Sequence, residues 1–415
     1  MKYGLIGKNL SHSYSSLIHN FLDSNPYSLI SLNENEFDDF MKNKDFIGIN
    51  VTIPYKEKVI KYLDVIDEKA KEIGAVNVVV NKNGLLYGYN TDYYGLKKLI
   101  TSSSIDITNR NCFILGNGGT CKTTIKVLKD LNAKSITIVS RQKSNSTITY
   151  EEFLNKNNVE IIINTTPVGM YPLIEEELID IKLFPNLKGV IDVIYNPINT
   201  KLIVKSKELG INSIGGLKML VEQGILSSEL FLDKHYSPSI CNSLYSTLYK
   251  QVSNIVLIGL PMSGKSTIGK ELAKKLNKQF IDIDEEIEKE KKSSISTIFN
   301  KFGEDYFRKL ESKLIVKYSK EKNLIIACGG GVIKNHSNMI NLKLNGTIIH
   351  LTRDDSKLIF NSSRPLINCK EDYLKLKNER YSTYLKYQDY QIDNSSSIEE
   401  CVNKIMEVLY ENINY

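Results

Sequence analysis

Residues 255–267 read Ile-Val-Leu-Ile-Gly-Leu-Pro-Met-Ser-Gly-Lys-Ser-Thr: a short apolar run, then an uninterrupted Gly-x-x-x-x-Gly-Lys-Ser motif with Thr267 behind it. The apolar run predicts a buried strand over Ile255–Ile258, and a helical pattern follows the loop. In that setting the N–H groups of Gly259–Gly264 cradle a β-phosphate. Lys265 reaches the β- and γ-phosphates, and Ser266 supplies a hydroxyl to Mg²⁺. Further strands fit Phe280–Asp282, Leu324–Ala327 and Ile348–Leu351. Residues 252–415 are therefore expected to form a P-loop nucleotide-binding domain with a parallel sheet and a bound Mg²⁺. Asp282 and Asp284 are two apart, so on a continuing strand both carboxylates share one face.

A second glycine-rich turn lies upstream. Cys112–Leu115 reads as a strand and is followed by Gly116-Asn117-Gly118-Gly119-Thr120 and a helical pattern. Glycines there let the backbone approach a pyrophosphate at a helix N-terminus, although Cys121 holds the third glycine position and an ordinary tight turn remains open. Strands fit Ser135–Val139, Glu160–Asn164 and Val190–Val193, the rhythm of a doubly wound sheet. An NAD site places Asp or Glu at the end of the second strand, where this chain has Ser140-Arg141-Gln142-Lys143. Ser140, Arg141 and Lys143 suit a 2′-phosphate, which predicts NADP(H); the alternative is a solvated loop. Only six of the 54 basic residues are arginine, so a surviving arginine is expected where its planar fork is needed. Arg110 and Arg353 are read as surface residues.

The first hundred residues alternate strand-like runs (Tyr3–Ile6, Tyr27–Leu32, Phe46–Val51, Val76–Val80, Leu85–Tyr89) with helical segments near 13–22, 34–42, 55–64 and 93–100. This predicts an α/β domain over 1–100, closed by a helix at about 236–250. A Rossmann-like NADP domain over 101–235 makes a two-lobed enzyme with it. Pro54 is a favoured first helical residue, which places Lys56 in a helix's first turn, where the positive end of the dipole opposes a second positive charge. Asp92 ends a loop and starts the next helix.

Composition limits the alternatives. The net charge of +6 comes from 54 basic and 48 acidic residues without a Lys/Arg block, so no nucleic-acid partner is expected. No apolar stretch reaches about 18 residues and no secretory h-region opens the chain, so neither a membrane partner nor export is expected. Six cysteines without a Cys-x-x-Cys pair fit reduced thiols in the cytoplasm.

Several motifs, taken together and in order, resemble those of shikimate dehydrogenases across residues 1–250. They are Ser11-His12-Ser13-Tyr14-Ser15, Asn50-Val51-Thr52-Ile53-Pro54-Tyr55-Lys56, Ile73–Asn77, Gly88–Asp92, Asn164–Met170, Asp192–Pro197 and Gly216–Gln223. The resemblance implies that Lys56 and Asp92 form a proton-transfer pair and that Ser13 and Ser15 bind a substrate carboxylate. It also implies that Thr52, Asn77 and Gln223 hold ring hydroxyls, that Tyr195 walls the same pocket, and that Thr165 and Met170 lie at the cofactor. Ser16 stands where the family usually has Pro.

Residues 252–415 resemble shikimate kinases through the P-loop, Phe280–Asp284, Gly303–Arg308 with Glu311, Gly329-Gly330-Gly331, Arg364-Pro365-Leu366, and Arg380 with Tyr384. By that resemblance the domain is of the nucleoside-monophosphate-kinase type and uses ATP, Asp282 supports Mg²⁺, and Asp284 receives or orients the reacting hydroxyl. Arg308 and Arg380 hold the carboxylate, Gly330 and Gly331 contact the ring, and Arg364 closes over the phosphates from a lid. The expected substrates are 3-dehydroshikimate, reduced with NADPH, and then shikimate, phosphorylated at its 3-hydroxyl. The segment between Leu358 and Arg364 is short, so an active dehydrogenase with a ligand-binding or regulatory kinase-like half stays open. Arg141 argues against a quinate-preferring, NAD-using first half.

Overall fold

The computed structural model describes residues 2–8, 10, 13–358 and 369–410. The chain divides into two compact units, 1–248 and 249–414. Parallel strands buried on both faces need continuous apolar runs, and the central strands here are such runs. Ile161–Asn164 and Leu324–Ala327, for example, are buried at every position.

The first unit contains two sheets. In one, the strands lie in the order Tyr27–Ser31, Tyr3–Gly7, Gly48–Val51, Val78–Lys82, Leu85–Tyr89 and Val65–Ile66. Its first three strands are parallel, and Val78–Lys82 runs antiparallel to both neighbours. The other sheet is parallel throughout, in the order Asn212–Ile214, Gly189–Asp192, Ile161–Asn164, Asn111–Leu115, Ser135–Ser140 and Thr147–Thr149. The helices Thr91–Thr101 and Leu217–Leu232 cross closely in this unit. Gly95 permits it, since a Cβ there would lie 2.7 Å from the Met219 carbonyl oxygen. A helix at Ser239–Val252 follows.

The second unit has one parallel sheet: Gln279–Asp282, Leu324–Ala327, Asn254–Ile258, Gly346–Thr352 and Tyr390–Asp393. Its N-terminal edge is held by Lys278, which is buried. The Lys278 ammonium donates to the carbonyls of Lys250 (2.7 Å) and Ser253 (2.8 Å) and to Asn323 Oδ1 (2.9 Å). Burial lowers this lysine's pKa to about 8. No helix among the described residues is long and apolar enough to cross a membrane.

Three local expectations are corrected. Residues 55–64 do not form an α-helix: Pro54–Glu57 turns, and a 3-10 helix covers Lys58–Tyr62. The Lys56 carbonyl accepts from the Val76 N–H at 2.8 Å, so it cannot serve an α-helical ladder. Asp282 and Asp284 do not share a strand face either. The strand ends at Asp282, whose Oδ1 caps the helix Ile283–Lys291 by accepting from the N–H groups of Asp284 (3.1 Å) and Glu285 (3.4 Å). Arg110 is half-buried rather than a loose surface residue, and pairs with Glu160 at 3.1 Å.

Candidate functional sites

In the first unit the chain brings Lys56 and Asp92 together. Lys56 Nζ lies 2.6 Å from Asp92 Oδ2, and the two side chains keep 14% and 10% of their exposure. Asp92 sits in the first turn of Thr91–Thr101, a helix capped by Asn90, whose side chain accepts from the Tyr93 N–H at 3.0 Å. A carboxylate is favoured at that helix end. The Lys56 side chain runs beside the glycine-rich turn, its Cβ 3.5 Å from where a Gly119 Cβ would stand.

The turn itself follows the pattern of a phosphate grip. Gly116 has φ +107°, and a Cβ there would come within 2.9 Å of Thr165 Oγ1. Gly118 caps the helix Gly119–Asp130 and has open space above it. Thr165 is pinned beneath, donating its hydroxyl to the Leu115 carbonyl at 2.8 Å. Ser140 ends its strand and Arg141 is exposed beyond it, while Lys143 is ion-paired with Glu152. Met170 is also exposed, at the end of the 164–170 loop.

The expected substrate groups lie in the same unit. Ser13 Oγ donates to Ser15 Oγ at 2.9 Å and accepts from the Ser15 N–H at 3.1 Å. The Tyr14 and Tyr195 rings are 5.3 Å apart. Burial raises the Tyr195 phenol, a hydrogen bond with Ser13 opposes the rise, and the nearby Asp92 charge adds to it. Asn77 Nδ2 donates to Thr91 Oγ1 at 3.0 Å, and Gln223 Nε2 donates to the Leu220 carbonyl at 3.0 Å. Thr52 N–H donates to the Ile6 carbonyl at 3.0 Å, which places its side chain over Gly7. Tyr27, Asn50, Thr91 and Ser227 form a buried polar layer under these groups. Sequence reasoning gave them no role, although Asn50 and Thr91 lie within the quoted motifs and Ser227 lies one helical turn after Gln223.

The second unit builds a separate site. Gly259 (φ +148°) and Gly264 (φ +89°) take backbone conformations that L side chains rarely adopt, and a Cβ at Gly264 would meet Asn394 Nδ2 at 2.3 Å. Lys265 arches back over the loop and donates to the carbonyls of Gly259 (3.0 Å) and Leu260 (2.9 Å). Thr267 follows in the helix Lys265–Leu276. Ser266 Oγ donates to Asp282 Oδ2 at 2.6 Å, so the two expected metal ligands already adjoin.

Across the loop, Asp284 and Glu311 both border Gly329; a Cβ there would lie 2.8 Å from Asp284 Oδ1 and 3.1 Å from Glu311 Oε1. Arg308 crowds Gly331, with Nη2 only 2.1 Å from a Cβ placed there. Arg380 is buried and donates through Nη1 to the Gly330 carbonyl at 3.0 Å, and the Tyr384 hydroxyl donates to the same oxygen at 2.6 Å. Burial pushes Glu311 up to about 7; Arg308 works against that and the Asp284 charge adds to it. Arg364 lies outside the described residues.

A lysine–carboxylate pair beside a dinucleotide turn, followed along the chain by a P-loop domain, points to an oxidoreductase joined to a phosphotransferase. A model of the shikimate dehydrogenase substrate binding domain matches residues 5–79, and one of shikimate kinase matches residues 261–410. The shikimate dehydrogenase (NADP(+)) of Clostridium perfringens is 39% identical over 264 residues, 59% of this chain and 97% of that relative. The solved shikimate dehydrogenase 1 of Peptoclostridium difficile is 35% identical with a TM-score of 0.56, covering 60% of this chain and 97% of its own. A solved chorismate mutase/shikimate 5-dehydrogenase fusion protein from Clostridium acetobutylicum is likewise 35% identical, with a TM-score of 0.55 over 60% of this chain and 96% of its own. The chain belongs to the shikimate dehydrogenase family and carries a shikimate kinase domain after it, which makes it a bifunctional enzyme.

Proposed function

We propose that residues 1–250 reduce 3-dehydroshikimate to shikimate with NADPH, and that residues 252–415 phosphorylate shikimate at its 3-hydroxyl with ATP and Mg²⁺. The observation that carries the first step is the Lys56–Asp92 pair at 2.6 Å beside the glycine-rich turn. Reduced NADP supplies the hydride when bound. As the carbonyl oxygen gains charge, the Lys56 ammonium donates a proton to it, and Asp92 holds that ammonium in line. Ser13 and Ser15 take the carboxylate, Thr52, Asn77 and Gln223 take the hydroxyls, and Tyr195 walls the ring. Arg141 with Ser140 receives the 2′-phosphate, and Thr165 and Met170 border the nicotinamide end. We assign residues 1–100 with the helix after 236 to the substrate lobe, 101–235 to the cofactor lobe and 252–415 to the kinase.

In the kinase half Asp284 accepts the proton of the attacking hydroxyl, Arg308 and Arg380 hold the substrate carboxylate against Gly330 and Gly331, and Lys265 stabilises charge on the transferred group. Ser266 and Asp282 fit a Mg²⁺ ion: one hydroxyl and one carboxylate, adjoining, are the few oxygen ligands such an ion takes when phosphates and water complete its shell. When bound, Mg²⁺ neutralises charge on the phosphates.

The test is to give the purified chain 3-dehydroshikimate, NADPH, ATP and Mg²⁺ and to quantify shikimate and shikimate 3-phosphate over time. Both are expected, the phosphate growing at the expense of shikimate. Shikimate without phosphate would demote the second half to a binding module, and neither product would overturn the proposal.

A further inference from the structure

Ser227, which is buried, stands at the centre of a hydrogen-bond chain in the first unit. Its hydroxyl donates to the Gln223 carbonyl at 2.7 Å. A serine has one hydroxyl hydrogen, so Ser227 Oγ is an acceptor in its other contacts. It accepts from Asn50 Nδ2 at 2.9 Å and from Thr91 Oγ1 at 3.1 Å. Thr91, having donated its own hydrogen, accepts from Asn77 Nδ2 at 3.0 Å, and its N–H donates to Asn77 Oδ1 at 2.7 Å. On the other branch Asn50 Oδ1 accepts from the Tyr27 hydroxyl at 2.7 Å. The bond to Gln223 decides that Thr91 donates to Ser227, and the amide and backbone links are fixed by their own atoms.

The consequence falls on Asn77. Its carboxamide oxygen is held by the Thr91 backbone and one Nδ2 hydrogen by the Thr91 hydroxyl, so its second Nδ2 hydrogen is what it offers a ligand. We infer that Ser227 is a positioning residue for the reductase substrate: through Thr91 it fixes Asn77 as a donor to a ring hydroxyl oxygen, and that hydroxyl must send its own hydrogen to another acceptor. The inference rests on the proposed reading of residues 1–250, in which Asn77 holds a hydroxyl of the substrate. Without Ser227 the Thr91 hydroxyl loses its acceptor and turns, and the Asn77 amide is left held by the Thr91 N–H alone.

The experiment uses the full chain and three variants: Ser227→Ala, Thr91→Val and the double. Each single substitution is expected to raise KM for 3-dehydroshikimate about tenfold, the scale of one lost hydrogen bond. kcat, KM for NADPH and kinase turnover stay within about twofold, and because both changes break one chain, the double is no worse than the single variants. A merely structural role would instead lower thermal stability and leave the KM values as they are. Unchanged KM in folded single variants, or effects that multiply in the double, overturn the inference; if Ser227→Ala does not fold, Thr91→Val alone decides. Failure of the unaltered chain to reduce 3-dehydroshikimate sinks the reductase reading, whereas normal reduction with unchanged KM in the variants sinks only the role of Ser227.

Discussion

Nη1 of Arg308 reaches both carboxylate oxygens of Glu311, at 3.0 and 2.9 Å, while Nε and Nη2 of the same guanidinium meet one oxygen of Glu304, at 3.1 and 3.0 Å. The two carboxylates differ in setting: the Glu311 side chain has no exposure and that of Glu304 keeps 37%. On the proposed reading Glu311 is the anchor that aims the fork, and the more exposed Glu304 is the partner that an incoming carboxylate would displace. Glu311→Gln is expected to raise KM for shikimate about tenfold, because a buried charged partner is lost. Glu304→Gln should leave it within about twofold. Initial rates against shikimate concentration check both.

Gly329→Ala tests how Asp284 is placed. The new methyl would stand 2.8 Å from Asp284 Oδ1 and 3.1 Å from Glu311 Oε1, closer than such atoms pack, so the carboxylate must shift. A misplacement of about 1 Å at a reacting group lowers turnover about 100-fold. Kinase kcat should fall by that order while reduction of 3-dehydroshikimate continues unchanged, measured on one preparation.

Arg141→Glu tests the cofactor reading. An acidic residue there repels a 2′-phosphate and accepts from a ribose hydroxyl instead. The ratio of kcat/KM for NADPH over NADH should drop by about 100-fold, a shift of about 3 kcal/mol on a charge-assisted contact. An unchanged ratio would place the 2′-phosphate elsewhere.

Asp192 gives a pH prediction. Its carboxylate is buried and accepts from Thr200 Oγ1 (2.6 Å), the Ile194 N–H (3.0 Å) and Asn164 Nδ2 (3.1 Å), yet burial still raises it from 3.8 to about 6. The folded chain thus keeps a proton that the unfolded chain has lost between those values. That contribution to stability is complete below pH 3.8 and disappears as pH rises through about 6. Near pH 5, unfolding should release about one more proton from the unaltered chain than from Asp192→Asn. Calorimetry in buffers of different ionisation heat reads the difference directly.

The central strands were legible because burial on both faces forces continuous apolar runs, as in Leu324–Ala327 and Ile161–Asn164. The edge strands Thr147–Thr149, Asn212–Ile214 and Tyr390–Asp393 carry mixed exposure and left no such trace. The turn at Lys56 was misread because its carbonyl is captured by Val76, a partner no local pattern shows. Asp284 was placed on a continuing strand because nothing in the alternation shows that Asp282, the last residue of the strand, caps a helix. The two glycine loops were legible since their positive φ values require glycine at fixed offsets. The Ser227 layer was not: its bonds to Asn50 and Thr91 span 177 and 136 residues.

The three acceptors around the Lys278 ammonium bear on how this chain can be dissected. Two of them, the carbonyls of Lys250 and Ser253, belong to residues that precede Asn254–Ile258, the first strand of the second unit's sheet. A fragment cut to begin at Asn254 would keep every residue of that sheet yet leave a buried cation with Asn323 alone. Such a loss costs several kcal/mol. A fragment holding the second unit must therefore start within the preceding helix, no later than Lys250, and a recombinant piece trimmed at the strand would misreport the stability of the whole.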